Sequence, residues 1–204
     1  MDIIEKLTEM FKEFPGIGER QARRFTYFLM YKNKAYADQL ASGIQELKKD
    51  ITQCKECFRY FVQGRVPGPV CDMCSAPNVD GSLLMVVEKD SDLESVHKSG
   101  AYHGKYFILG GLVPIVEKTT KSRVRIEELK QRVKNESQSL KEIILAFSLS
   151  PQGDHTHVFV RGELSGIADP AGIKISTLGR GLSTGTELEY SDNDTLRNAL
   201  KNRQ

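Results

Sequence analysis

The spacing of apolar residues predicts three helices in residues 2–50. Apolar residues recur there every three or four positions, which is the period of an amphipathic helix. The predicted helices cover residues 2–12, about 19–31 and about 35–50. Residues 14–18 (FPGIG) separate the first two helices, and because proline and glycine favour turns, we expect a tight hairpin there. The residues predicted to face inward are Ile3, Ile4, Leu7 and Phe11, then Ala22, Phe25, Phe28 and Leu29, then Ala37, Leu40, Ile44 and Leu47.

After residue 80 the pattern changes, and short continuous apolar runs replace the helical period. Such runs are typical of strands buried on both faces of a parallel sheet. The predicted strands are 83–87, 106–109, 142–147 and 173–178. The predicted helices are 90–99, 122–138 and 192–201. Residues 155–166 favour a helix, although their β-branched and aromatic content leaves a further strand open. This alternation predicts an α/β domain with mainly parallel strands.

All four cysteines of the chain lie in two C-x-x-C pairs, Cys54 with Cys57 and Cys71 with Cys74. Each pair offers two thiolates from one turn, and two such turns facing each other form a tetrahedral sulfur site for Zn²⁺. Glycine and proline in residues 64–69 allow the chain to reverse between the pairs. Four cysteines leave no open coordination position, so we expect one structural zinc ion per chain. Redox dithiols, a disulfide pair or an iron–sulfur cluster are the alternatives.

The predicted fold is therefore α+β and built from modules. The expected modules are a helical helix-hairpin-helix module at 1–53, a small four-cysteine zinc finger at 54–79, an α/β domain with a mainly parallel sheet at 80–178, and a glycine-rich loop with a short helix at 179–204. The zinc finger would act as a rigid joint between the module before it and the module after it.

Composition narrows the class of protein without identifying a partner. The chain has 204 residues, 27% of which are charged, and a mean hydropathy of −0.38. No apolar run reaches the length of a membrane span and no secretory signal pattern is present, so we expect a cytoplasmic protein with reduced cysteines. The net charge is only +2, and a nucleic-acid partner must therefore be argued from local clusters of basic residues.

A candidate nucleic-acid site lies at the predicted hairpin. Gly16 and Gly18 would let the backbone approach a phosphate, and the following helix would present its free N–H groups to that anion. Arg20 and Arg24 lie four residues apart on one face of that helix, with Arg23 on an adjacent face. Such contacts are independent of DNA sequence and sensitive to salt. A plain helical hairpin with a glycine turn is the alternative interpretation.

Two acidic residues are candidates for a second site. Glu88 ends the first predicted strand of the sheet, and Asp154 lies in the predicted loop at 148–154, after the third strand. Ligands of open α/β sheets collect beyond the carboxyl ends of the strands, and carboxylates there suit Mg²⁺. For Glu88 the alternative is a strand-end carboxylate that pairs with Lys89 or with a helix terminus.

Two further patterns are less specific. His155 and His157 would share one face of a strand, but no third metal ligand is evident nearby, so a satisfied or exposed pair is the preferred interpretation. The glycine-rich residues 179–185 could surround a phosphate with backbone N–H groups, although they lack the pattern of a nucleotide-hydrolysing P-loop. No pair of nucleophile and base is recognisable, and a hydrolase or transferase has no support.

The order of these motifs resembles the RecR family of bacterial recombination mediators over essentially the whole chain. Residues 14–24 (FPGIGERQARR) are similar to that family's pattern L-P-G-[IV]-G-x-[KR]-x-A-x-R. Residues 86–90 (VVEKD) and 108–111 (ILGG) are similar to the first two strands of its Toprim domain, an α/β fold. Residues 180–185 (RGLSTG) and 188–190 (LEY) resemble its C-terminal tail.

This resemblance implies a protein without catalytic activity of its own. RecR-like proteins form ring-shaped tetramers that clamp around DNA, and with RecO and RecF they load the recombinase RecA onto gapped DNA coated by single-strand binding protein. It implies that Arg20 and Arg24 contact DNA and that the four cysteines bind zinc. It places Glu88 at the interface with RecO and DNA. The expected partners are thus double-stranded and gapped DNA, RecO and RecF-like proteins and further copies of the chain, as a tetrameric ring or a dimer, in a nucleoid-associated cytoplasmic setting without a membrane.

One segment departs from the family pattern. The family's loop after the third strand reads T-N-P-T-x-E-G-E-A-T, whereas residues 147–156 read FSLSPQGDHT, with Gln152 in place of the first acid and Asp154 in place of the second. The missing carboxylate weakens any Mg²⁺ site. We therefore favour a non-enzymatic DNA-binding repair mediator over a Mg²⁺-dependent Toprim enzyme such as a nuclease or primase, or a zinc-dependent interaction adaptor.

Overall fold

The computed structural model describes residues 1–64, 68–116, 124–179, 181–182, 185 and 187–201. Backbone contacts divide the chain into two units, residues 1–51 and residues 52–204. Both the helical part and the sheet that the pattern predicts are present, so the α+β class is confirmed. Of the predicted glycine-rich loop, Arg180 and residues 183–184 lie outside the described part of the chain.

The first unit consists of three helices, α1 (Ile3–Lys12), α2 (Glu19–Tyr31) and α3 (Lys34–Asp50). α1 begins at a capping box, in which the side chains of Asp2 and Glu5 each accept a hydrogen bond from the other residue's backbone N–H. α3 begins after Asn33, whose side chain accepts a hydrogen bond of 2.9 Å from the backbone N–H of Tyr36. The starts of both helices are therefore fixed by local sequence.

The core of the first unit is very small. The hydroxyl groups of Thr8 and Thr26 share a buried hydrogen bond of 3.1 Å across α1 and α2, and Ala22 is fully buried. Thr8, Ala22 and Thr26 are the only buried residues of the first unit, and the structure describes every residue of that unit. Phe25 and Phe28, predicted to face inward, are 40% and 47% exposed, because so small a unit cannot cover its aromatic side chains. Every residue of α3 is exposed.

The second unit surrounds a four-stranded parallel sheet of order β4-β3-β5-β6, as the alternating pattern predicts. Its strands are β3 (Asp80–Val87), β4 (Gly104–Ile108), β5 (Glu142–Ala146) and β6 (Lys174–Thr177). The elements around the cysteines are β1 (Ile51–Gln53), β2 (Tyr60–Val62) and α4 (Asp72–Ser75). The helices are α5 (Asp90–Ser99), α6 (Ile126–Asn135), α7 (Pro151–Ala168) and α8 (Asn193–Lys201), with a 3-10 helix at Leu188–Tyr190. Within the described residues, no helix is long and apolar enough to cross a membrane.

The central strand β3 is buried on both faces and separates two apolar clusters. Leu84 and Val86 belong to the cluster that includes the inner residues of α6 and α7. Met85 and Val87 belong to the other cluster, with Leu93 of α5 and three of the four cysteines. The segment that carries the cysteines therefore covers one face of the sheet together with α5. Continuous apolar runs predict such two-sided burial, because successive side chains of a strand point to opposite faces.

The start of α7 corrects one prediction. The sequence pattern places Asp154 in a loop, but α7 begins at Pro151, so Asp154 lies in the first turn of a helix. Ser150 caps this helix by accepting a hydrogen bond of 3.1 Å from the backbone N–H of Gly153. Pro151 suits the first helical position, where no backbone donor is needed. The helix predicted at 155–166 is confirmed, and the alternative of a further strand is wrong.

Candidate metal centre and nucleic-acid interface

The four cysteines come together as one cluster, whose ligand atoms all lie within 4.8 Å of one another. All four are free thiols, so the disulfide alternative is wrong for this structure. The Sγ atoms of Cys57 and Cys71 are 3.6 Å apart. A tetrahedral site with Zn–S bonds of about 2.3 Å separates its sulfur atoms by about 3.8 Å. The cluster therefore has the size of a four-sulfur metal site and could hold a metal ion.

Tight turns bring each pair of cysteines into position. In the first turn the backbone N–H of Phe58 donates to the carbonyl of Cys54 at 3.0 Å, and Phe58 adopts a left-handed backbone with a φ of 63°. In the second turn the N–H of Cys74 donates to the carbonyl of Cys71 at 3.1 Å. The N–H of Cys71 also donates to the Sγ of Cys54 at 3.3 Å, which joins the turns and stabilises a thiolate.

Crowding of the four sulfur atoms changes how they hold protons. Hydrogen bonds from Cys57, and then from Cys71 and Cys74, hold the pKa of the Cys54 thiol far below its ordinary value. The pKa of the Cys74 thiol is raised, and its hydrogen bond with Cys54 is the largest cause. Because the four thiols lie so close together, they gain and lose protons as a group. A divalent cation would displace the remaining protons and offset two of the four negative charges of the thiolates, so metal binding at a cysteine site is coupled to proton release.

The first cysteine turn also covers the edge of the sheet. β4 is an edge strand, and the backbone N–H of Ile108 at its end donates to the carbonyl of Cys57 at 2.8 Å. The guanidinium of Arg132, on α6, donates to the carbonyls of Glu56 and Tyr106, the second at 3.1 Å. Pairing an edge strand in this way protects it from association with other chains. The cysteine cluster is consequently built into the second unit.

Arg132 is a residue that the sequence pattern did not identify. It is 8% exposed and ion-pairs with Glu56 and Glu136. Lys105 of β4 also pairs with Glu136, at 3.0 Å. The sequence does contain one indication of this role: Arg132 lies three residues after Leu129, on the stripe of α6 that faces the core. A charged residue there indicates a buried polar contact, because an unpaired buried charge is strongly disfavoured.

The glycine turn of the first unit has the geometry of a helix-hairpin-helix. Gly16 has a φ of 76°, a left-handed conformation that favours glycine, and Gly18 is the N-cap of α2. Among the described residues, no side chain caps the first turn of α2, so its backbone N–H groups are available to an anion. The backbone N–H of Ile17 donates to the carbonyl of Phe14 at 3.0 Å and closes the turn.

Three exposed arginines follow this turn. Arg23 forms an ion pair of 3.4 Å with Glu19 of the same helix, and Arg24 donates to the side-chain oxygen of Gln21 at 3.3 Å. Arg20 has no side-chain partner among the described residues. Exposed ion pairs and side-chain hydrogen bonds contribute little free energy, so Arg23 can exchange Glu19, and Arg24 can exchange Gln21, for a phosphate.

Glu88 and Asp154 lie near the carboxyl ends of adjacent strands. Glu88 directly follows β3, and Asp154 is in the first turn of α7, which follows β5. The carbonyl of Glu88 accepts a hydrogen bond of 2.9 Å from the backbone N–H of Gly110. Within the described part of the chain, the four cysteines are the only group of three or more potential metal ligands, so these two acids belong to no larger acidic cluster.

The interpretation of His155 and His157 changes with the secondary structure. Both lie on α7, where residues two positions apart point to different faces. His157 is buried and its ring contacts Phe147, with 5.0 Å between the ring centres, whereas His155 is half-buried. The possibility of a shared strand face for metal binding is therefore wrong.

Fold and site together define a modular protein in which a helix-hairpin-helix unit precedes, along the chain, a four-cysteine cluster and a parallel α/β sheet. Three family models match the chain in the same order. "RecR, helix-hairpin-helix" matches residues 4–48, "Toprim domain" matches residues 82–178, and "RecR, C-terminal" matches residues 181–204.

Similar proteins cover nearly the full length of the chain. Proteins named "Recombination protein RecR" from Lactobacillus acidophilus and Chloroflexus aurantiacus are each 32% identical over 98% of this chain, and over 96% and 93% of their own lengths. A protein of the same name from Bacteroides thetaiotaomicron is 33% identical, over 98% of this chain and 93% of its own length. The chain belongs to the RecR family of recombination proteins, and the resemblance seen in its motifs is confirmed.

Proposed function

We propose that this protein is a non-enzymatic, DNA-binding mediator of recombinational DNA repair. In this role it acts as a homo-oligomeric clamp that, with RecO and RecF-like partners, loads a recombinase onto gapped DNA. The observation that carries the proposal is the helix-hairpin-helix, in which an uncapped helix start and exposed arginines occur together. The full-length similarity to proteins named for recombination supports the cellular role.

DNA would be held by its phosphates at the start of α2. The left-handed Gly16 allows the backbone to approach closely, and the N–H groups after Gly18 would donate to one phosphate. Arg20 and Arg24 lie one turn apart and would contact neighbouring phosphates, with Arg23 beside them. Contacts of this kind release counterions, so affinity falls steeply with salt and depends little on base sequence.

Charge reversal at Arg20 and Arg24 tests this interface. The double change Arg20→Glu and Arg24→Glu is expected to lower affinity for gapped and double-stranded DNA by at least about tenfold at low salt, and to reduce the salt slope by about one to two, because each lost phosphate contact removes about one unit. The measurement is fluorescence anisotropy over a range of salt concentrations.

A matched control is available on α3. Lys34→Glu and Lys49→Glu change the net charge equally in the same unit, at exposed positions of α3 that lie off the face formed by Leu40, Ile44 and Leu47. We expect this control to stay within about threefold of the unchanged protein, because its effect is limited to screened long-range charge. DNA affinity that is unaltered at low salt in the Arg20/Arg24 variant would reject the proposed interface.

We propose Zn²⁺ as the occupant of the cysteine cluster, one ion per chain, with Cys54, Cys57, Cys71 and Cys74 as its ligands. Four thiolates and no open position suit a structural ion. The support is the grouping of all four sulfur atoms within 4.8 Å of one another and the burial of three of the cysteines. A bound ion would hold the two turns together against the sheet.

Glu88 is proposed as a contact for the RecO partner and DNA, with Asp154 at the same edge of the sheet. Glu88 is partly exposed at the end of β3, and Gln152 stands where the family pattern carries an acid, so an acidic contact surface suits this edge better than two-metal chemistry. Glu88→Ala should weaken RecO binding in a titration calorimetry measurement, whereas Glu94→Ala, at an exposed position of α5, should not. Equal RecO affinity in the Glu88→Ala and unchanged proteins would remove this role.

A second copy of the chain is proposed to cover the apolar face of α3, formed by Leu40, Ile44 and Leu47. These side chains are 41%, 57% and 59% exposed, although their spacing is that of an amphipathic helix. A helix whose residues are all exposed gains little from packing and is marginal in water. Pairing the same face of two copies about a two-fold axis would bury it.

A further inference from the structure

One face of α2 continues from the proposed phosphate contacts to two exposed tyrosines. The residues on this face are Arg20, Arg24, Tyr27 and Tyr31. Because each residue of a helix advances by about 100°, their spacing places all four within about 60° of one another around the axis. All four are exposed, Tyr27 by 44% and Tyr31 by 90%. We refer to these four residues as the α2 stripe.

The α2 stripe lies on the side of the helix that faces away from α1. The buried residues of α2 are Ala22 and Thr26, and the hydroxyl of Thr26 shares a hydrogen bond with that of Thr8 on α1. These two buried positions are turned by about 130–170° around the axis from the centre of the stripe. The packing of α2 on α1 therefore does not account for the two tyrosines.

The rings of Tyr27 and Tyr31 have no partner in the first unit. Neither residue forms a hydrogen bond or a ring contact with any described residue. Phe28 contrasts with them, because its ring packs edge to face with Tyr36 and the ammonium group of Lys32 lies 4.7 Å from its centre. Both tyrosine rings are consequently accessible to a ligand.

The charge around the stripe is of one sign. Residues 20–33 contain no Asp or Glu, although the net charge of the whole chain is only +2. Their basic residues are Arg20, Arg23, Arg24 and Lys32. Exposed aromatic rings next to positive charges are typical of surfaces that bind single-stranded nucleic acid, because the charges contact phosphates and the rings stack on bases. An anchor for a protein would need the tyrosines but not this charge, so the observations favour nucleic acid.

The spacing of the two tyrosines favours an unpaired strand over a duplex. Four residues separate Tyr27 from Tyr31, which corresponds to about 6 Å along the helix axis. Consecutive bases in one strand of a duplex are only about 3.4 Å apart and stack on each other, so they leave no room for these rings. Unpaired bases can spread apart, and each can then stack on one tyrosine.

We propose that the α2 stripe binds the junction between duplex and single-stranded DNA. Arg20 and Arg24 contact phosphates of the duplex, and Tyr27 and Tyr31 stack on unpaired bases of the strand that continues beyond it. This inference rests on the proposed function and deepens it, because it names the groups that distinguish a gap from a continuous duplex. The arginines alone make no such distinction, since phosphates occur in both forms.

Three DNA probes test the stacking directly by fluorescence anisotropy. They are a blunt duplex, the same duplex with a single-stranded tail of about ten thymidines, and the same duplex with a tail of about ten abasic nucleotides, which keeps the phosphates. We expect the unchanged protein to bind the thymidine tail at least about fivefold more tightly than the abasic tail, because the latter offers no base to stack. Equal affinity for the two tails would overturn the proposal.

Replacement of both rings separates the tyrosines from the arginines. Tyr27→Ala with Tyr31→Ala is expected to lower affinity for the thymidine tail at least about fivefold and to leave affinity for the blunt duplex within about twofold. Tyr27→Phe with Tyr31→Phe keeps both rings and should keep the preference for thymidine. Met30→Ala is the matched control, because Met30 is 59% exposed on the same helix but is turned by about 90° from the stripe, and it should change neither affinity.

Failure of this proposal is distinguishable from failure of the proposed function. An alanine variant that still prefers the thymidine tail would reject stacking, whereas the phosphate contacts of Arg20 and Arg24 have their own test in charge reversal. Equal loss of affinity for the blunt duplex and the thymidine tail would also reject it, as would loss of the preference in the phenylalanine variant. A changed particle mass of the alanine variant in light scattering without DNA would instead assign the rings to a contact between copies and overturn the proposal.

Discussion

Replacement of Cys54 by serine is expected to unfold the whole second unit. Cys54, Cys57 and Cys71 are buried in the same apolar cluster as Met85 and Val87 of the central strand. Loss of one ligand would release the metal and the segment that covers one face of the sheet. Structural zinc sites contribute about 10–16 kcal/mol, which is as large as the roughly 5–15 kcal/mol stability of a typical domain.

Metal content and thermal unfolding measure this effect. The unchanged protein should contain one zinc per chain, and a strong chelator should abolish its cooperative unfolding transition until zinc is restored. Cys54→Ser should lack both the zinc and the transition. Met73→Leu lies in the second cysteine turn but removes no ligand, so we expect a loss of less than about 1.5 kcal/mol. A Cys54→Ser protein that melts at the same temperature as the unchanged protein would contradict the structural role of the metal.

Replacement of Gly153 by alanine is expected to destabilise the second unit by about 3 kcal/mol or more. Gly153 is buried in the first turn of α7, and a Cβ there would fall well inside van der Waals contact of the Ser148 carbonyl oxygen. That oxygen belongs to the backbone, so the start of α7 would have to move relative to β5. Overpacking that displaces backbone costs about 1–3 kcal/mol and occasionally more.

The same helix supplies matched controls. Gly162 and Gly166 are exposed on α7, and a Cβ at either position would meet no described atom within 4 Å apart from its chain neighbours and the nearby backbone of α7 itself. Alanine at each should stabilise the helix by about 0.5–1 kcal/mol, because alanine loses less backbone entropy than glycine. Urea unfolding followed by circular dichroism compares the three variants. If Gly153→Ala is as stable as Gly162→Ala, the β5–α7 junction does not have the close packing described.

The periodicity of apolar residues was sufficient to predict most of the fold. The apolar runs at 83–87 and 142–147 correspond to the adjacent parallel strands β3 and β5. They could be predicted because a strand that is buried on both faces consists of consecutive apolar residues. The spacing of the cysteines predicted their cluster, because two C-x-x-C pairs separated by a short segment are typical of a four-ligand metal site. The proposed DNA-binding residues remain predictions, although the turn that would present them has the expected geometry.

Other features depend on contacts between segments distant in sequence. Arg132 bonds the carbonyl of Glu56, a residue far from it along the chain, and no local pattern encodes that pairing. Phe28 was predicted to face inward, but residues 1–51 alone form too small a core to bury it. The first turn of α7 was missed because Ser150 and Pro151 act as a helix start, whereas the apolar pattern becomes helical only later.

The exposed face of α3 and the arginines of α2 belong to one proposal, a clamp that assembles from several copies and holds DNA. Assembly would explain why the first unit leaves Phe25, Phe28 and the apolar face of α3 uncovered. It would also multiply weak phosphate contacts, because linked binding sites raise the effective affinity of one another. A single copy with a few exposed arginines would bind DNA weakly at physiological salt.

Light scattering with and without gapped duplex DNA tests the proposed clamp most directly. The chain has a mass of 22.9 kDa, and we expect a particle of about four times that mass that becomes more stable against dilution when gapped duplex is added, because binding to the assembled state favours it. Ile44→Glu should shift the particle to smaller species by placing a charge on the apolar face of α3. A particle of 22.9 kDa, unchanged by gapped DNA at micromolar concentrations, would contradict the clamp.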